Sequence, residues 1–195
     1  MAKGALFVGI ASLLALGASA APSCNGSTIL APYQMITFDL SRPDAPGWDT
    51  SPSFEVALNA DLTTGYSQLL RFAPPSSGTC TWVLNLPADR FDSEVQQGKP
   101  ANGGNVSPTW AGVPRAAYEP SDTLADVQAV KLGQFGANNI QVGSQNIHSD
   151  PCASIPDVLV EIPAYLQEAQ WAYWRQDIRP NDEANSLGVY LKVSC

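Results

Sequence analysis

Histidine is nearly missing from this chain: His148 stands alone among 195 residues. A serine or cysteine hydrolase needs a general base beside its nucleophile, so any such machinery reduces to what His148 can reach. No Gly-x-Ser-x-Gly elbow is present, and Gly143-Ser144-Gln145 does not make one. A lone histidine cannot supply the paired ligands of a zinc hydrolase, and the four cysteines contain no Cys-x-x-Cys spacing. Basic residues are scarce as well. Ten Lys and Arg face eighteen Asp and Glu, a formal charge of −8 that repels phosphate backbones and anionic lipid. Nucleic acid and membranes are therefore excluded as expected partners. Gly103-Gly104 has no following lysine, so no phosphate-cradling loop is recognisable, and no cofactor is expected.

What the chain does have begins at its N-terminus. Lys3 precedes an apolar stretch from Ala5 to Leu16, and Ala18-Ser19-Ala20 supplies small residues for signal peptidase. The stretch is shorter than the ~20 residues that span a bilayer. Residues 1–20 are thus read as a signal peptide, and 21–195 as a single secreted domain. Losing Lys3 moves the formal charge from −8 to −9. Cys24, Cys80, Cys152 and Cys195 all remain after cleavage, and an even count in an oxidising compartment implies two disulfides. Three connectivities are open at this point. Asn25-Gly26-Ser27 and Asn105-Val106-Ser107 are N-glycosylation acceptors, the second followed by Pro108.

Short alternating segments fill the rest. Ile36, Phe38 and Leu40 share one face, as do Phe54, Val56 and Leu58, and then Leu70 and Phe72. The same holds for Cys80 to Leu86, for Val158 to Ile162, and for Leu187 to Cys195. Period-two patterning with one apolar face marks half-buried antiparallel strands. About eight or nine such strands predict an all-β, antiparallel β-sandwich, bridged by disulfides. Gly98 to Pro114 reads as a long loop. Ser144 to Pro151 reads as a polar turn in which His148 is solvated. Pro163 to Trp174 holds helix formers without an apolar stripe and could equally be a strand.

The sequence offers four kinds of candidate site. His148 with Asp150 could be a dyad, although a solvated turn is the plainer reading. Asp39 to Asp49 and Asp177 to Glu183 are acidic, but neither follows calcium-loop spacing. A carboxylate pair for glycoside hydrolysis depends on separation in space, which the sequence does not show. The fourth kind is aromatic. Trp82 belongs to the core by alternation, whereas Trp110 sits in the Gly- and Pro-rich stretch. Trp171 and Trp174 must point to opposite faces if their segment is a strand. Exposed rings are platforms for sugars or protein hot spots, so Trp110, Trp171 and Trp174 are the binding candidates.

Phe54-Glu55-Val56, Leu69-Leu70-Arg71-Phe72 and Cys80 through Pro87 resemble a fungal family. It is the family named for the C-terminal region of the ubiquitin-3-binding protein But-two. Cys152, Val160-Glu161-Ile162-Pro163 and Ser186 through Leu191 continue the likeness, which spans roughly 54–195. The resemblance implies a fungal secretory protein with no catalytic residues to carry over. It implies pairing of Cys80 with Cys152, leaving Cys24 for Cys195 at the two chain ends. The founding member's intracellular partner conflicts with a signal peptide. The resulting expectation is a secreted, non-enzymatic domain that binds a protein or cell-wall glycan. A wall-polysaccharide hydrolase and a purely structural wall protein are the alternatives.

Overall fold

Alternating apolar positions become strands where the sequence predicts them, and the strands continue into segments it leaves as loops. The computed structural model describes residues 27–100, 103–180 and 182–195. The expected signal peptide, Cys24 and Asn25 lie outside the described residues. Thirteen strands are described: β1 (Thr28–Leu30), β2 (Gln34–Asp39), β3 (Trp48–Asp49), β4 (Ser53–Leu58), β5 (Gly65–Arg71), β6 (Thr79–Leu86), β7 (Gln96–Gly98), β8 (Thr109–Val113), β9 (Gln134–Ala137), β10 (Gly143–Pro151), β11 (Asp157–Glu161), β12 (Gln170–Arg175) and β13 (Gly188–Ser194). Two short helices, α1 (Ala88–Glu94) and α2 (Leu124–Ala129), interrupt them. The strand count exceeds the expected eight or nine. Several of the added strands are only two to four residues long, and β8 and β10 replace the expected loop and turn.

The strands form two antiparallel sheets. One has four strands in the order β1-β13-β6-β10. The other has nine, ordered β7-β12-β4-β5-β11-β8-β9, with β2 on β5 and β3 on β2. Between them lies the main core, where Trp82, Leu84 and Leu191 of the smaller sheet meet Phe54, Trp110 and Trp174 of the larger. Two packed antiparallel sheets are the predicted sandwich.

The larger sheet is covered on its other side too. Ile36, Phe38, Leu69 and Leu159 pack there against Val113, Tyr118, Leu124 and Val127. This second cluster explains why Leu69-Leu70 and Val158-Leu159-Val160 are apolar without alternation: strands buried on both faces need no polar side. The α2 helix supplies Leu124 and Val127 at i, i+3, and starts in a capping box between Thr123 and Asp126. Arg90 of α1 grips both Glu94 and Asp177, pinning that helix to the segment before β13. Arg90 is held above its usual range by these hydrogen bonds.

Carboxamide side chains close gaps that backbone pairing leaves. The β4 strand pairs with β5 only at Ala57↔Tyr66 and Leu58↔Gly65. Beyond that point buried Gln68 takes over: its Oε1 accepts from the Glu55 N–H (3.3 Å), and its Nε2 donates to the Ser53 carbonyl (2.8 Å). The same Nε2 reaches the hydroxyls of Thr37 and Thr50. Gln176 does likewise for Val189, accepting from its N–H (2.8 Å) and donating to its C=O (3.2 Å). Gly188 makes room for that amide, because a Cβ there would lie 1.9 Å from Gln176 Oε1.

Cys80 of β6 is bonded to Cys152, just beyond β10, across neighbouring strands, with Cα atoms 4.8 Å apart. This is the expected first bridge. No cysteine among the described residues is free. The expected partner of Cys195, Cys24, lies outside them.

Candidate functional site

Two of the three aromatic candidates are core residues. Trp110 is completely buried in β8, between β11 and β9, because Thr109–Val113 is an interior strand rather than part of a loop. Trp174 is equally buried, with its ring stacked on Phe54 at 3.7 Å between centroids. Phe54 in turn stacks on Trp110 at 6.4 Å, so the three rings form one internal column. Neither tryptophan can serve as an exposed platform. Contrary to the expectation of exposed rings, Trp110 and Trp174 are interior residues.

Trp171 differs. Three residues from Trp174 along β12, it points the other way and is 42 % exposed. Its strand partners explain how the ring is held. Opposite Trp171 on one side is Gly98 of β7, where a Cβ would come within 1.9 Å of the indole Nε1. The five-membered ring thus occupies the space above that glycine, and any larger residue would push it off the sheet. Opposite on the other side is Ala57, and opposite Ala57 is Tyr66 of β5. Direct cross-strand partners share a face, so Trp171, Ala57 and Tyr66 form one row. Trp48, 40 % exposed, meets the Tyr66 ring edge-on at 6.1 Å. The next row along the strands holds Gln96, Tyr173 and Glu55, and Arg175 follows opposite Ser53. Alternation along Trp171-Ala-Tyr173 could have paired those two rings from sequence alone. The glycine beneath and the tyrosine beyond could not be found that way.

His148 is not in a turn. It lies in β10 opposite Trp82, stacked on Phe135 (3.8 Å) and 5.5 Å from the Trp82 ring. Its Nε2 is 2.7 Å from Asp150 Oδ2. The imidazole is therefore part of an aromatic stack joining β10 to β9, and the neighbouring Ser149 hydroxyl is bonded to Thr81. The dyad has no nucleophile drawn to it among these contacts. Among the described residues, no group of three or more His, Cys, Asp or Glu is placed to hold a metal ion.

The carboxylates divide by environment. Burial raises Asp157, and the Phe72 N–H and Arg71 guanidinium (3.2 Å) act against that rise. Asp177 is pushed up by burial but held below its usual range overall by Arg90 and the Leu187 N–H. Glu55 is raised by partial burial, yet the residue opposite it is Tyr173, not a second carboxylate. Glu161 accepts from Gln128 and is paired with Lys131 (3.0 Å) in a cleft of about 410 Å³ beside α2. Each of these acids is committed to a structural partner or faces a non-acid. Asn105 is half-buried, and its amide donates to Gln141 (3.2 Å) beside a cavity of about 350 Å³.

No family model, curated protein or solved structure matches this chain. Among the described residues no helix is long and apolar enough to cross a membrane.

Proposed function

We propose that this chain is a secreted binding domain that acts at a cell surface, wall or host interface through the aromatic row of Trp171, Ala57, Tyr66 and Trp48. Secretion is supported by the N-terminal signal pattern and by the Cys80–Cys152 bridge, a bond that persists in oxidising compartments. The resemblance to the But-two family supports the same secretory reading. One observation carries the choice of surface: a tryptophan ring seated over a strand glycine and exposed to solvent on the outer face of β12. Ordinary packing buries such rings, as it buries Trp82, Trp110 and Trp174.

The test is retention of the mature, disulfide-intact protein on insoluble cell-wall material. Wild type is retained, and Trp171→Ala loses about tenfold in affinity while its circular dichroism is unchanged. Equal retention of the variant would remove this face from the mechanism. The hydrolase alternative would need a carboxylate pair across a cleft, which the partners of Glu55, Asp157 and Asp177 argue against.

A further inference from the structure

Resting on that binding reading, we infer that the ligand is a neutral polysaccharide of extended, equatorially one-to-four-linked pyranose units, lying across the strands along the Trp171–Ala57–Tyr66 row. The argument begins with spacing. Neighbouring strands are about 4.8 Å apart, so Trp171 and Tyr66, two strands apart, are rooted about 10 Å from each other. Ala57 between them is small, and the indole leans over Gly98 on the far side of β12. The two rings thus flank a low centre wider than the separation of their roots, which only an extended chain can bridge. In a one-to-four chain with equatorial bonds, each unit is turned over relative to the last. Every second unit then shows the same apolar C–H face to one side. A row with rings at its ends and alanine between them accepts such alternation. The β-one-to-three-linked glucan of curdlan and the α-one-to-four-linked glucan of starch curl, and do not keep alternate rings in line.

The surrounding groups support a sugar over an apolar protein hot spot. A pyranose has flat apolar faces and a rim of hydroxyls, so it needs rings beneath and hydrogen-bonding groups beside. Gln96, Tyr173, Glu55 and Arg175 occupy the rows alongside the aromatic one. Protein hot spots lie instead in fully desolvated pockets at the centre of an interface. Charge selects further. Glu55 and Arg175 are of opposite sign on this face, while the whole chain carries −8. Acidic polysaccharides are repelled by that field and neutral ones are not.

Adsorption isotherms of the mature, oxidised protein on chitin, cellulose, curdlan and starch test the inference. The expected result is binding to chitin or cellulose about tenfold tighter than to curdlan or starch, and weakened about tenfold by Trp171→Ala. Ala57→Gln, which raises the centre of the row, should weaken adsorption without disturbing the fold. Two results would overturn the ligand class while leaving the binding reading intact. One is equal or tighter binding to curdlan. The other is Trp171-dependent retention on wall material with none on chitin or cellulose. Failure of the folded protein to adsorb to any wall material would overturn both.

Discussion

Replacing Gln68 by methionine keeps the volume of the side chain and removes its amide. The Glu55 N–H and Ser53 C=O then lose the partner that stands in for a strand. Thr37 and Thr50 keep each other, because their hydroxyls are 2.8 Å apart. Leaving a buried polar group unsatisfied costs about 1–3 kcal/mol. Two backbone groups in a part-buried setting put the loss at about 3 kcal/mol. In a domain of this size that lowers the melting temperature by roughly 6–12 °C. In urea, with a slope of about 2 kcal/mol/M, the midpoint falls by about 1.5 M. The assay is equilibrium urea unfolding of the mature, oxidised protein followed by tryptophan fluorescence, with the slope compared between variants. A midpoint change worth less than about 0.5 kcal/mol, the range of a surface substitution, would refute the role given to the carboxamide.

Trp174→Ala should destabilise by about 3–5 kcal/mol and erase much of the near-ultraviolet dichroism of the internal stack, in contrast to Trp171→Ala. Non-reducing peptide mapping should recover Cys80 with Cys152, and Cys24 with Cys195. The register of β1 on β13 sets Thr28 opposite Val193, which brings the start of the described chain beside its end. Breaking the first bridge, which spans 72 residues, should cost about 4 kcal/mol in the chain-entropy model. Against the burial that raises it, Arg90 and the Leu187 N–H hold Asp177 below the usual aspartate range, so its contribution is present above that range and lost as pH falls through the lower folded-state value. Asp177→Asn should therefore flatten the acid limb of stability against pH, measured by urea midpoints between about pH 2 and 6.

Local pattern was enough for much of the sandwich. Alternation at Phe54-Val56-Leu58, at Cys80 to Leu86 and at Leu187 to Val193 marks strands with one inward face, because the two-residue period is a property of the strand itself. The Cys80–Cys152 bond is as expected, but cysteine spacing alone leaves three connectivities open, and only the pairing of β6 with β10 brings these two together. Tertiary structure decided the remainder, since it depends on partners far along the chain. Leu69, Leu159 and Val113 are buried only because α2 and its flanking loops cover the second face of the larger sheet. Trp110 turns from loop to core once β11 and β9 pair on either side of it. His148 turns from solvated to stacked because β10 pairs with β6 and brings it to Phe135. Sequence could place Trp171 and Trp174 on opposite faces but could not say which face met water. Strand alternation is symmetric, and only the packing of Phe54 against Trp174, with Gly98 beneath Trp171, breaks that symmetry.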